Sequence, residues 1–228
     1  MGTLEFLFIQ YFSKLGKKSL GFNNFRCRFT IFVIFIPPCM KRIAIFASGN
    51  GSNAQRIIEY LNHHPVARVE LLLSNNPQAL ALQRAQNLKI PTVVFNRDDF
   101  YATNHVLDIL SVQGIDYIVL AGFLWLIPVD LLVAFRGRIV NIHPALLPKY
   151  GGKGMYGMRV HKAVIESGDK ESGITIHHVN EKYDEGGIIF QARCAVVADD
   201  TPETLAAKVH QLEYRYFPEV IERLVKGS

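Results

Sequence analysis

"KRIAIFASGNGSNAQRIIEYL", Lys41 to Leu61, is the stretch on which the fold turns. It begins with a short run of β-branched and apolar residues, as a buried strand does. Gly49-Asn50-Gly51-Ser52-Asn53 then interrupts it, and Ile57, Ile58 and Leu61 recur at helical spacing. A fully apolar strand that turns through glycine into an amphipathic helix is the opening unit of a parallel sheet covered by helices. The glycines permit a tight turn. Its N–H groups, and the positive end of the helix starting near Ser52, would then point at an anion.

The alternation continues downstream. "VARVELLLSNN" is a strand, "ALALQRAQNL" a helix, "IPTVVF" extended, "DDFYATNHVLDILSVQG" one helix and "IDYIVLAG" a buried strand. "GRIVNI" is the next strand, followed by a glycine-rich loop and a helix in "YGMRVHKAVIESG". "SGITIHHV" and "GGIIFQARCAVV" alternate with period two, as the strands of a hairpin do. "TPETLAAKVHQLEYRYFPEVIERLV" is a closing helix, with Thr201 as its cap and Pro202 at the first helical position. The expected fold is α/β: a doubly wound, mostly parallel open sheet, Rossmann-like, with a C-terminal hairpin and closing helix. Such sheets bind ligands at the carboxyl ends of their strands, which singles out loops 49–53, 122–127 and 141–157.

Each of these loops carries polar residues. With Ala54, the first satisfies the dinucleotide pattern GxGxx(G/A). That pattern also wants an acid at the end of the second strand, where Ser74, Asn75 and Asn76 stand instead. Glu70 lies early in that strand, away from the crevice. Asn and Ser in the turn suit a single phosphate, and a plain helix cap is the other reading. In the third loop, Asn141 and His143 place an amide and an imidazole at the end of an apolar strand, and Asp184 follows in "YDEGG". A carboxylate brought beside an imidazole raises its pKa and makes it a better proton donor near neutral pH. His63 and His64 end a helix, where a cation suits the dipole. His177 and His178 alternate in a strand, so one of them is expected to be exposed. No HxxxH, HxH or CxxC pair occurs, and no metal is called for.

Charge and cysteine usage narrow the class. Of the net charge of +5, residues 1–39 hold +4, with Lys14, Lys17, Lys18, Arg26 and Arg28 against Glu5. From Met40 onward 20 basic residues face 19 acidic ones. No basic stripe is interleaved with aromatics, so nucleic acid is not an expected partner. Cys27, Cys39 and Cys194 have no ligand spacing and cannot all pair, which points to a reducing, cytoplasmic compartment. "RFTIFVIFIPP" holds an apolar run of about eight residues, against about twenty for a membrane span and at the short end for a signal peptide. Pro37-Pro38-Cys39 does not resemble a cleavage site. Residues 1–39 are read as an N-terminal extension and residues 40–228 as the folded domain.

"IAIFASGNGSN", "IVLAGFLWLI", "GRIVNIHPALLPKY", "YDEGG" and "HQLEYRYFP" stand in an order and spacing that resembles the phosphoribosylglycinamide formyltransferases, the folate-dependent enzymes of purine synthesis. The resemblance runs from about Met40 to Val225. The NIHP-ALLP block by itself indicates folate-dependent formyl transfer, and the GNGSN turn narrows it to the glycinamide ribonucleotide enzyme. It implies transfer of a formyl group from 10-formyltetrahydrofolate, as co-substrate, to the amine of glycinamide ribonucleotide, by direct attack and without a metal. Asn141, His143 and Asp184 match the catalytic trio, with Asn141 and protonated His143 donating to the formyl oxygen. Gly51, Ser52, Asn53, Ala54 and Gln55 would hold the ribonucleotide, joined by His210, Gln211, Leu212 and Glu213 from the last helix. Leu124, Trp125, Leu126 and Ile127 would bind the folate with Asn141, Arg97 and the backbone of Asn180, Glu181, Lys182, Tyr183 and Asp184.

One segment departs from the family. After "LLPKY" a short "PGLHTH"-like loop is replaced by the longer "GGKGMYGMRVH", in which His161 can be matched but Lys153, Met155 and Tyr156 have no counterpart. Methionyl-tRNA and sugar-nucleotide formyltransferases share the catalytic block, but usually add a C-terminal domain. A non-catalytic nucleotide-binding module would be expected to lose one of the trio. Small-molecule substrates are the expected partners, with no nucleic acid or membrane, for a monomer or homodimer.

Overall fold

The computed structural model describes residues 40–64 and 66–227. The reading of residues 1–39 as an extension, and Cys27 and Cys39 with it, lies outside the described residues. Within them the chain runs β1 (Lys41–Phe46), α1 (Ser52–Leu61), β2 (Ala67–Ser74), α2 (Leu80–Asn87), β3 (Thr92–Val94), α3 (Arg97–Tyr101), α4 (His105–Val112) and β4 (Tyr117–Leu120). It continues through α5 (Val129–Ala134), β5 (Ile139–His143), α6 (Met158–Ser167), β6 (Glu171–His178), β7 (Ile188–Ala195) and α7 (Pro202–Lys226). The strands form one sheet in the order β3-β2-β1-β4-β5-β6-β7. Pairings are parallel from β3 to β5 and antiparallel from β5 to β7. The expected doubly wound sheet with its C-terminal hairpin and closing helix is what forms.

β1, after Lys41 and Arg42, shows why a strand in this position is apolar. Ile43, Ala44, Ile45 and Phe46 are all fully buried, and successive side chains point to opposite faces. Ile43 and Ile45 join a core under α1, α2, α6 and α7, whereas Ala44 and Phe46 join one under α3, α4 and α5. Burial of each large side chain contributes about 1.5–3 kcal/mol. A polar residue anywhere from Ile43 to Phe46 would therefore face a core, whereas Lys41 and Arg42 at the start of the strand are only partly buried. Ahead of α7, Thr201 accepts from the Thr204 N–H with Pro202 next in the chain, as the sequence suggests.

Two local expectations change. "DDFYATNHVLDILSVQG" is two helices. Asn96 caps α3 by accepting from Asp98 and Asp99, and the Thr103 N–H folds back to the Asp98 carbonyl at 3.1 Å, ending α3 before α4 begins. Between β4 and β5, in a stretch that the alternation leaves unassigned, lies α5, six residues that start after Pro128. A helix that short is scarcely more than one turn and leaves little periodicity to read.

Candidate active site

The sheet order reverses between β1 and β4, and the loops that leave these strands diverge there into a crevice. They hold each other: the Ser48 N–H donates to the Gly122 carbonyl, and the Leu124 N–H donates to Ser48 Oγ, both at 3.1 Å. A cavity of about 590 Å³ opens on this edge, and loops 49–53, 122–127 and 141–157 all contribute to its lining.

On one flank lies the turn. Gly51 adopts φ +75 and caps α1. A Cβ at this position would lie 2.5 Å from Ala81 Cα, so glycine is required by the approach of α2 as well as by the backbone angle. Arg84 fastens the turn from behind, donating to the Asn50 carbonyl (3.0 Å), Asn50 Oδ1 (2.9 Å) and Gln55 Oε1 (2.6 Å). Gly51, Ser52 and Asn53 line the cavity together with His210 and Glu213 of α7. Asn53 Nδ2 donates to Glu213 at 2.9 Å, which leaves Asn53 Oδ1 buried without a partner. Burial raises the Glu213 carboxyl above its ordinary range, against the bond from Asn53 and the nearby His210. The other residues expected here are turned away by helical geometry. Ala54 and Leu212 pack in the core, Gln55 is bonded to Glu59, and Gln211 is exposed. Glu70, on β2, is engaged by Arg42 and Arg68 and takes no part.

At the centre, β5 delivers Asn141 and His143 to the cavity. The turn after β6 returns Asp184 to them: it adopts φ +58, and Gly186 packs where any Cβ would collide with the His178 carbonyl. Asp184 Oδ2 lies 3.5 Å from His143 Nδ1, and its Oδ1 lies 3.6 Å from His177 Nε2. These are ion-pair distances, longer than hydrogen bonds. Asp184 Oδ2 also accepts the Gly152 N–H at 2.9 Å. Burial pushes the Asp184 carboxyl up, but His177, the His143 charge and the Gly152 N–H outweigh it, and its pKa is lowered.

His143 Nε2 lies 2.8 Å from the Tyr150 carbonyl oxygen. A carbonyl only accepts, so Nε2 carries a hydrogen and a neutral ring has its lone pair on Nδ1, facing Asp184. Burial is the largest influence on this imidazole and lowers its pKa, while Asp184 and the Tyr150 carbonyl work against it. The net direction is opposite to the rise expected from the carboxylate alone. Among the described residues, no group of three or more His, Cys, Asp or Glu could hold a metal.

His177 is the residue that sequence reasoning passed over. The strand alternation suggested that His177 or His178 faces solvent, yet His177 is 2% exposed and His178 is half-buried. The antiparallel register sets His177 directly opposite Asn141. Its Nδ1 lies 2.8 Å from the His178 carbonyl oxygen and must donate, so a neutral ring presents Nε2 as an acceptor. Asn141 Nδ2 is 3.0 Å from that atom. One amide hydrogen of Asn141 is thereby held, and the other is free for the cavity. Only the β5–β6 register could have revealed this pairing.

The opposite flank is apolar. Leu124, Trp125, Leu126 and Ile127 line it with Phe123 and Val179, and Lys182, Tyr183 and Asp184 close it. Tyr101 braces this wall by donating to the Leu126 carbonyl at 2.8 Å. Arg97 is not in the lining. Its guanidinium lies over the rings of Tyr101 (5.1 Å) and Trp125 (5.9 Å), one layer behind. Asn180 and Glu181 also stand outside the lining: Asn180 Oδ1 accepts from the Lys182 N–H, and Glu181 is exposed. Among the described residues, no helix is long and apolar enough to cross a membrane.

Residues 41–221 match the formyl transferase family. Over 190 residues the chain is 45% identical to "Phosphoribosylglycinamide formyltransferase, chloroplastic" of Arabidopsis thaliana, covering 81% of this chain and 65% of that protein's length. It is 37% identical over 193 residues to the phosphoribosylglycinamide formyltransferase of Haemophilus influenzae, covering 82% and 89%. The solved structure of glycinamide ribonucleotide transformylase 1 from Geobacillus kaustophilus is 36% identical and superposes with a TM-score of 0.74, over 82% of this chain and 99% of that one. The fold, the cleft at the strand reversal and these likenesses agree: the chain belongs to the formyl transferase family.

Proposed function

We propose that this protein transfers the formyl group of 10-formyltetrahydrofolate to the amine of glycinamide ribonucleotide in purine synthesis. The observation that carries the reading is that one cavity joins the Gly51–Asn53 turn, the Asn141/His143/Asp184 cluster and the apolar Leu124–Ile127 wall. The phosphate end would lie on the turn, where backbone N–H groups and the start of α1 favour an anion. The pteridine would lie against the apolar wall, which puts the formyl carbon at the cluster.

The amine nitrogen attacks the formyl carbon, a C–N bond forms, and negative charge develops on the formyl oxygen. The amide hydrogen of Asn141 not held by His177 would stabilise that oxygen. His143, kept neutral by burial, takes the proton of the attacking nitrogen at Nδ1, and Asp184 stabilises the imidazolium so formed. The proton then goes to N10 as the C–N10 bond breaks, releasing tetrahydrofolate. This assigns His143 first as base and then as acid, in place of a standing protonated donor. The reaction needs no covalent intermediate and no metal. The protein would act in the cytoplasm as a monomer or homodimer, with small molecules as its partners.

The test is an assay with glycinamide ribonucleotide and 10-formyltetrahydrofolate. Formylfolate should disappear in step with formation of formylglycinamide ribonucleotide. Formylfolate consumed only when methionyl-tRNA or an amino-sugar nucleotide is supplied would overturn the substrate assignment.

A further inference from the structure

The loop that departs from the family pattern, Gly151 to Arg159, is built into the site. Its start is pinned twice, by the Tyr150 carbonyl on His143 and by the Gly152 N–H on Asp184. Beyond that point Lys153, Tyr156 and Arg159 line the same cavity as the turn. Of the basic chains there, Lys182 is tied to Glu185 at 3.0 Å. Lys153 and Arg159 have no carboxylate partner among the described residues. Arg159 lies over the Tyr156 ring, 5.0 Å from its centroid, which leaves the N–H edge of the guanidinium free.

Two further features share this flank. The N-cap of α6 is Gly157, with no side-chain cap and no acid in the first turn. Apart from the Val160 N–H, which donates to the Gly157 carbonyl at 3.1 Å, its first N–H groups therefore meet no capping side chain. His161, within the next turn, is 1% exposed and lines the cavity, and its Nδ1 has no partner. Burial first, and then His210 and His143, lower its pKa to about 4, so it is a neutral imidazole in need of a hydrogen-bond partner. Its ring lies against His210 of α7, the helix whose Glu213 holds Asn53 of the turn. This is the face of the sheet opposite the apolar wall.

The turn offers backbone dipoles but no full charge, because Arg84 is occupied by Asn50 and Gln55. A phosphate monoester is close to a dianion at neutral pH. The geometry points to a second, cationic half of the phosphate site: Lys153, Arg159, the open start of α6 and His161, closing on the anion from the side opposite the turn. The inference rests on the ribonucleotide reading. The same anion chemistry could come from a carboxylate of the folate's glutamate, and the test separates the two sources.

Lys153 and Arg159 are exposed, so Lys153→Ala with Arg159→Ala is expected to fold, with circular dichroism and melting temperature matching the parent. Binding of inorganic phosphate and of ribose 5-phosphate to the full chain would be measured by calorimetry, and KM would be measured for each substrate. Charge-assisted hydrogen bonds of this kind predict a loss of about 10- to 100-fold in ribose 5-phosphate affinity. A matching rise in KM should appear for the ribonucleotide and not for the formyl donor. Lys153→Arg with Arg159→Lys should restore part of it. Unchanged affinity for both probes in the alanine variant would overturn the site while leaving the reaction standing. A rise confined to the KM of the formyl donor would overturn it in favour of the folate carboxylate. Loss of probe binding in a protein that does not formylate the ribonucleotide would support the site and refute the reaction.

Discussion

At the residue scale the proposed chemistry rests on two buried histidines with different hydrogen-bond partners. His143 is held at Nε2 by the Tyr150 carbonyl and meets Asp184 at Nδ1. His177, 3.6 Å from the same carboxylate, also has the Asn141 amide 3.0 Å from its Nε2. In the proposed mechanism His143 carries the proton. His143→Ala should lower kcat by about 10²–10⁴ through loss of general acid–base help, measured at saturation of both substrates; a fall of less than tenfold would remove His143 from the reaction. Asp184→Asn deletes the influence that holds the His143 pKa up against burial. The pKa, already below the ordinary imidazole value, should fall further. With the neutral form as the proposed base, the acid limb of the kcat/KM profile should move to lower pH while kcat drops. An unmoved limb would mean that the two groups are uncoupled. His177 is a positioning residue, since it acts through Asn141. His177→Phe removes the acceptor at 3.0 Å from the amide and should reduce kcat more than either KM, with His177→Gln restoring part of it. Equal effects of both variants on kcat and KM would point to general damage.

At the element scale, α7 ties the Gly51–Asn53 flank of the cavity to the sheet. Near its far end Glu222 accepts from Tyr60 (2.6 Å) and contacts His64 (3.1 Å) and Lys226 (2.6 Å), joining α7 to the C-terminal turn of α1. The bonds from Lys226 and then Tyr60 lower the Glu222 pKa from 4.5 to about 2, and burial with the same carboxylate raises Tyr60 to about 12. A depressed carboxylate pKa contributes stability that is present above 4.5 and lost as pH falls towards 2. Glu222→Gln should therefore lower the melting temperature at pH 7 and flatten its fall between those limits. An unchanged acid transition would show that the cluster does not link the two helices. His64 was expected to serve the dipole at the end of α1; the structure gives it a specific carboxylate instead.

At the scale of the whole molecule, both cores and all seven strands lie within the described residues, and β1 stands third in the sheet from the β3 edge. A protein starting at Met40 should keep the activity and melting temperature of the full chain, as checked by assay and calorimetry; an insoluble or inactive truncation would show that residues 1–39 pack on the domain. The doubly wound class was legible because β4 and the C-terminal halves of β1 and β2 are apolar on both faces, as a sheet covered by helices on both sides demands. The three loops that line the cavity were legible for the same reason, since strand direction decides which edge carries the crevice. Local signals also placed the Thr201 cap and the glycine of the first turn. The partnership of His177 with Asn141 needed the β5–β6 register, which joins residues 36 positions apart. The direction of the His143 pKa needed its burial, a property of everything packed around it rather than of its neighbours in the chain. Gly51 was legible as a turn residue, but its contact with Ala81 belongs to the packing of α2. Sequence by itself determined most of the elements and which edge of the sheet carries the cavity, because hydrophobic period and turn chemistry are local. Tertiary structure alone decided which polar groups meet and which of them hold a proton, because both depend on distances and solvent exclusion that arise when distant segments pack.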